Sequence, residues 1–448
     1  MKDKCKTKCS PRKKEKEEKK LVPSLANLSS KEKRELEEYV DLYAEFLDKA
    51  RTPRQVVDYV ERLAYTFGFD RDENNKIFIN EDRNNIALVN YGQFPVSEGI
   101  RILGAHVDSP CLHLKDSPLI EDPHLRVVRL DTQYYGGIVK YQWFDQDVDV
   151  VGYVVKNGKE IPVSIEGTIH DVAPHINRKT YEKTINEAFE AENLDVVTKY
   201  ANKEELLKDL GIEERDFYRA DICVVPAMKT RVLGDLVSGY GHDDRVCVFT
   251  QLMALLKSKP EYTSIVFGVD MEEKGSTGGG GAQATFFDRV LDQIISEKDC
   301  RDLNFITQPY IRDILSKSMM ISADVDIATS YRNVNLVDKD KNTKAGWGLA
   351  INTYCGSGGK YMGNQASAVF MDKLMTILDK KSVVYQVGGL PSKVDSGGGG
   401  TIAKYFAERG VPTVDGGVPV VGMHGKREII HRGDLYQAVK CFKAFLEG

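Results

Sequence analysis

Five short stretches of this chain gather side chains that bind divalent cations. The first is Gly104-Ala105-His106-Val107-Asp108-Ser109-Pro110, a histidine with an aspartate two residues on. Such a carboxylate can take the second imidazole N–H and fix the tautomer of a ligating histidine. The second is Gly241-His242-Asp243-Asp244-Arg245, which supplies a carboxylate able to offer one oxygen to each of two cations. The third is Val269-Asp270-Met271-Glu272-Glu273-Lys274-Gly275-Ser276, where adjacent glutamates diverge, so that one can hold a cation and the other face a substrate water. Ser322-Ala323-Asp324-Val325-Asp326 and Gly422-Met423-His424-Gly425 complete the set.

Each stretch alone has an ordinary explanation: a hydrogen-bonded loop histidine, aspartates capping a helix against its dipole, or an acid-rich turn. Glycines 278 to 281 invite a phosphate-cradling reading, but no Gly-Lys-Ser/Thr ending follows and the preceding acids repel phosphate. Taken together, two histidines and three carboxylates form a mixed nitrogen and oxygen set. That set suits Zn²⁺, with Mn²⁺ or Co²⁺ as alternatives, better than an all-oxygen Ca²⁺ or Mg²⁺ site. Five ligands exceed what one open catalytic zinc takes, and match two ions about 3.5–4 Å apart sharing a carboxylate. A glutamate is then left over to act as a base.

Short apolar runs deliver these groups: Ile100–Gly104, Ser264–Val269, Met319–Ser322 and Val418–Val421. Helix-like stretches such as Asp244–Leu256 and Ala366–Leu378 lie between them. Strands alternating with helices predict an α/β fold, a mostly parallel sheet with helices on both faces, with ligands gathered beyond the carboxyl ends of the strands. Two amphipathic helices precede it. Ser29 and Glu32 form a capping-box pattern before Leu36, Tyr39, Val40, Tyr43 and Leu47, and Thr52-Pro53 opens a second helix. The region 112–221 instead alternates polar and apolar residues in short runs (Leu125–Leu130, Val148–Val155, Ile161–Ile165), with helical material expected around Asn186–Leu210. It reads as an inserted, mainly β domain. The expected division is a flexible basic tail over 1–25, a catalytic domain over 26–111 and 222–448, and the insertion over 112–221.

The 448 residues exceed what one hydrophobic core usually organises. A net charge of -5 and a pI near 6.0 offer nothing to nucleic acid, and no apolar run is long enough to span a bilayer. The N-terminal MKDKCKTKCSPRKKEKEEKK lacks the apolar stretch of a secretory signal. The eight cysteines are therefore read as reduced thiols and the compartment as cytoplasmic. Cys5 and Cys9 have no second Cys/His pair nearby and read as tail thiols.

In order, GAHVDSP, HDDR, DMEEKGS, ISADVD and MHGKRE resemble the M18 family of metallo-aminopeptidases, the aspartyl aminopeptidase group, on its bacterial branch. The segment YYGGIVKYQWFDQD, Tyr134–Asp147, is similar to that family as well, and the resemblance runs from about residue 30 onward. It implies a zinc-peptidase-like catalytic domain with an inserted dimerisation domain. It implies His106 and Asp324 on one metal, Glu273 and His424 on the other, and Asp243 between them. Glu272 would be the general base, with Asp108 orienting His106. The resemblance further implies a homo-oligomer, a tetrahedral dodecamer, in which a histidine of the insertion reaches a neighbour's site; His175 in Ala173-Pro174-His175-Ile176-Asn177-Arg178 is the best match. Two departures stand out. Animal-type members usually carry Leu-Asp-Asn where this chain has His242-Asp243-Asp244, and histidines often follow the aspartate that here precedes Val325-Asp326-Ile327-Ala328-Thr329.

The activity so implied is removal of the N-terminal residue from peptides with a free N-terminus, by a water activated between two metals. Rival readings are another two-metal amide hydrolase, a carboxypeptidase or a deacylase, and a catalytically silent assembly protein. Arg178, Lys393 and Asp395–Thr401 are candidates for the selectivity pocket.

Overall fold

In the computed structural model the described residues are 22–70, 74–299, 306–356, 358–388, 393, 395 and 398–448. Cys5, Cys9 and nearly all of the basic tail lie outside them.

The chain enters through the two expected helices. Ser29 accepts from the Glu32 N–H while Glu32 accepts from the Ser29 N–H, closing the capping box of the helix Ser30–Lys49. One stripe of that helix, Leu36, Tyr39, Val40, Tyr43, Phe46 and Leu47, is buried. The helix Pro53–Thr66 starts on a Thr52 cap with proline at its first position, where the missing N–H costs nothing.

The main sheet has eight strands, in the order Asn75–Ile79, Ile86–Asn90, Ser264–Val269, Arg101–His106, Met319–Ser322, Thr413–Gly417, Leu349–Asn352 and Tyr385–Gly388. Its centre is parallel: Arg101–His106 is flanked in parallel by Ser264–Val269 and Met319–Ser322, and the latter by Thr413–Gly417. Side-chain alternation splits the apolar residues between two layers. Leu103, Ala105, Val266 and Ile321 join one core, under the helices His242–Leu256, Ala368–Lys380 and Arg432–Leu446. Ile102, Ile265, Phe267 and Met320 join the other, under Phe286–Lys298 and Gln308–Lys317. Helices on both faces explain why these strands read as unbroken apolar runs.

A second sheet of five strands runs Arg231–Leu233, Leu236–Gly239, Glu428–His431, Pro419–Val421 and Asp326–Ile327. This corrects one expectation. The run before His424 belongs to this small sheet, pairing antiparallel with Glu428–His431, and not to the main sheet. Three residues, Pro419–Val421, bounded by Gly422, are too few to tell one sheet from another.

Between His106 and Gly239 the chain builds a closed barrel from Cys111–Asp122, Val127–Tyr135, Gln146–Lys156, Lys159–Ile169, Val196–Thr198 and Ala220–Pro226. The barrel has its own apolar core around Leu112, Leu130, Trp143, Val150, Val154 and Val224. The helical material expected over 186–210 is interrupted. Val196–Thr198 is a strand that closes the barrel against Arg129–Leu130 and Gly167–Thr168, leaving short helices at Ile185–Ala188 and Lys203–Leu210. Val196 and Thr198 point into the barrel and are buried, a tertiary demand that overrides local propensity.

Candidate active site

The parallel centre of the main sheet places three acidic or imidazole clusters along one edge. His106 ends its strand, Asp270 follows Val269, and Asp324 lies two residues beyond Ser322. The loop between Pro419–Val421 and Glu428–His431 carries His424 to the same edge. At this edge lies a cavity of about 410 Å³ lined by His106, Asp243, Glu272, Glu273, Asp324 and His424.

Asp243 is the hinge of the arrangement. Its Oδ1 lies 3.2 Å from His106 Nε2 and its Oδ2 lies 3.2 Å from His424 Nε2. One carboxylate thus faces both histidines, one oxygen to each. Asp324 Oδ1 lies 3.8 Å from His106 Nε2, and Glu273 Oε1 lies 3.5 Å from His424 Nε2. The four contacts sort into two groups, His106 with Asp324 and His424 with Glu273, sharing Asp243. Asp244 does not share this position: its Oδ2 accepts from the His106 backbone N–H at 3.4 Å. Both residues leave helical geometry at the start of the helix, where the two side chains take different partners.

Both histidines are held from behind. His106 Nδ1 lies 3.0 Å from the Asp108 carbonyl and 3.2 Å from its carboxylate, leaving Nε2 to face the cavity. His424 Nδ1 donates to the Gly137 carbonyl at 3.0 Å. The Asp108 carboxylate also accepts from the Glu272 and Glu273 N–H groups and the Tyr135 hydroxyl, tying two cation-binding stretches together. Gly136-Gly137 makes the fit to the barrel strand close. A Cβ at Gly137 would stand 3.0 Å from His424 Nδ1, and one at Gly136, where φ is 68°, 3.1 Å from Glu273 Cβ.

Burial first, then Asp324, Asp108 and Asp243, push Glu272 up to about 8. Burial and Asp243 push Glu273 up to about 9. Burial opposes the charged form of Asp243, but His106 and His424 hold its carboxyl below the usual range. Asp243 Oδ1 and Glu273 Oε1 are buried with no hydrogen-bond partner. Buried carboxylate oxygens gathered with imidazole nitrogens at one cavity suit a site for divalent cations. The donor set therefore fits divalent cations, which His106, Asp243, Asp324, Glu273 and His424 could hold.

The structure brings together seven of the eight residues singled out in the sequence. His175 is the exception: it lies in an exposed turn of the barrel region and does not border the cavity. Of the selectivity candidates, Gly398–Thr401 lines the cavity; Arg178 is exposed, and Lys393 donates to the Asn335 carbonyl. Sequence reasoning passed over Glu428, which is 1% exposed and accepts from the Asp243 and His424 N–H groups at 3.0 and 2.7 Å. Its only signal was its place four residues after His424. Tyr135, Lys404 and Tyr405 were passed over too, and the latter two line the cavity.

A family model described as aminopeptidase I zinc metalloprotease (M18) matches residues 46–446. A probable M18 family aminopeptidase 1 of Thermotoga maritima is 35% identical over 450 residues, covering 93% of this chain and 97% of the relative. One from Clostridium acetobutylicum is 34% identical, covering 91% and 94%. The crystal structure of the Thermotoga maritima M18 aminopeptidase superposes with a TM-score of 0.85 at 34% identity, over 93% of this chain and 97% of that one. Aminopeptidase I from Clostridium acetobutylicum gives 0.83 at 31%, over 95% and 98%. The fold alone is shared with the S. cerevisiae mApe1 dodecamer, TM-score 0.73 at 17% identity, over 92% and 97%.

Proposed function

The chain belongs to the M18 family of zinc metalloproteases, the aminopeptidase I group, and from that premise we propose that it is a two-metal aminopeptidase with Glu272 as its general base. The observation that carries the reading is the position of Asp243, one oxygen on each of two histidines that are themselves paired with separate carboxylates. His106 and Asp324 would hold one ion and His424 and Glu273 the other, with Asp243 shared between them. When bound, the ions, zinc by preference with cobalt or manganese as alternatives, lower the pKa of water and polarise the scissile carbonyl.

The chain's own residues do the rest. Glu272 borders the same cavity, within ligand reach of His106 and Asp324, and makes no bridge between the histidines. Its carboxylate takes the proton of the attacking water and returns it to the leaving amine. Asp108 and the Gly137 carbonyl keep both imidazoles turned toward the cavity. A substrate's free α-amine would bind beside the carboxylates that line the cavity, which would restrict cleavage to N-termini.

We propose that residues 112–221 form the oligomerisation domain, inserted in the catalytic domain of 26–111 and 222–448. The exposed apolar residues around His175, namely Val172, Ile176, Tyr181 and Ile185, support a covered surface there. The dodecamer of the distant yeast relative supports a homo-oligomer of that type, and in it His175 would complete a neighbour's site. Among the described residues no helix is long and apolar enough to cross a membrane, and five buried cysteines are free thiols, in keeping with a cytoplasmic enzyme.

The test is metal content per chain together with a panel of aminoacyl amides, with and without acetylated N-termini, before and after chelation. Two ions per chain and chelator-sensitive cleavage of the free-amine substrates alone are expected. Cleavage of the blocked substrates would assign the scaffold to a deacylase or other amide hydrolase, and turnover that survives full metal removal would overturn the mechanism.

A further inference from the structure

A second cluster of metal-binding side chains lies in the barrel, outside the cavity described above. Cys111 and His113 sit two apart on the strand Cys111–Asp122, so both point to the same face. His113 pairs directly across with Cys223 on the neighbouring strand Ala220–Pro226. Two sulfurs and an imidazole nitrogen converge, each ligand atom within 4.8 Å of the others. Cys223 Sγ lies 3.6 Å from His113 Nε2. Atoms about 2.3 and 2.0 Å from a shared tetrahedral ion stand about 3.5 Å apart, so this pair already has the spacing of ligands. Cys111 and Cys223 are 4% and 5% exposed.

We propose that Cys111, His113 and Cys223 form a separate site for a zinc-type divalent cation. Cys₂His is a soft donor set that selects zinc over magnesium or calcium. Three protein ligands leave the fourth position to water, and Cys223, together with Asp221, borders a cavity of about 360 Å³.

The site also has a purpose in the fold. The His113 ring stacks on Tyr135 with centroids 4.7 Å apart and planes 3° from parallel. The Tyr135 hydroxyl donates to Asp108 at 2.7 Å, and Asp108 orients His106. A cation holding His113 fixes this stack, so the barrel ion acts as a positioning element behind the active site.

Cobalt distinguishes the two centres, because the active-site set contains no sulfur. The full chain, with Cys5 and Cys9 replaced by serine, would be loaded with Co²⁺ under reducing conditions. A sulfur-to-cobalt charge-transfer absorption in the near ultraviolet is expected, and it should vanish in Cys111→Ser and in Cys223→Ser with loss of one ion per chain. Loss of the active-site ions alone, as in His424→Ala, should leave that absorption intact, so a failure of the active-site reading stays separable. If the serine variants do not fold, zinc K-edge absorption of the parent decides, since a sulfur shell at about 2.3 Å must be present. A fully loaded parent without sulfur ligation, an absorption unchanged in both variants, or a Cys111–Cys223 disulfide in the reduced-handled protein would overturn the proposal.

Discussion

Replacing Asp108 by asparagine keeps size and shape but removes one acceptor oxygen from a carboxylate that uses both. Oδ1 lies 3.2 Å from His106 Nδ1 and accepts from the Glu272 N–H at 3.2 Å. Oδ2 accepts from the Tyr135 hydroxyl at 2.7 Å and the Glu273 N–H at 3.1 Å. An amide nitrogen at Oδ1 would meet two N–H donors, so asparagine settles with its nitrogen at Oδ2, where the Tyr135 hydroxyl can turn and accept. The Glu273 N–H then loses its partner. One hydrogen bond to a charged group is worth about 1.5–3 kcal/mol, and about 1.4 kcal/mol is tenfold in an equilibrium constant. The loss falls on the ligand Glu273, so metal affinity at the Glu273–His424 side should drop about 10- to 100-fold, the range found for orienting partners of metal ligands. The His106–Asp324 side should change less, because His106 Nδ1 keeps the Asp108 carbonyl at 3.0 Å. Competition against a fluorescent zinc chelator resolves the two affinities. Wild-type affinity at both, with unchanged kcat, would refute the argument that Asp108 organises the site.

Glu272→Gln should retain both ions by elemental analysis and lower kcat roughly 10²–10⁴-fold, the share of a general base; near-normal turnover would remove Glu272 from that role. His175→Ala should leave metal content unchanged and cut kcat about 10²-fold, as for the loss of an oxyanion donor, in the assembled protein; activity equal to wild type by a steady-state assay would show that no neighbour uses it. Glu32 is held at about 2, below its ordinary 4.5, chiefly by the Ser29 backbone N–H with help from Lys440. Its folded pKa is depressed, so its contribution is present above pH 4.5 and lost as pH falls from there toward 2. Thermal melts of Glu32→Gln should therefore fall less steeply than wild type over that window, and parallel curves would count against the capping box as an acid-sensitive element.

Much of the site was legible because its chemistry is local. His106, Asp324 and the Glu272-Glu273 pair each follow an apolar run, and a buried parallel strand must expose its polar continuation at the sheet edge. The capping box and the Thr52-Pro53 start were equally plain, since their partners lie within three residues. Other features were not legible, because their partners are far apart in the chain. Val196–Thr198 is a strand only because two distant strands need closing. Glu428 matters only because the small sheet sets it against Asp243, 185 residues away. The same holds for Cys223, which meets His113 across 110 residues.

By itself, then, the sequence singled out the cation-binding side chains and the apolar strands of the main sheet that lead to them, because residue type and short-range periodicity encode both. Asp243 and Asp244 are equivalent on paper. Only the tertiary structure gave one of them two histidines and turned the other toward the His106 backbone, since that choice depends on how the helix His242–Leu256 meets two separate sheets.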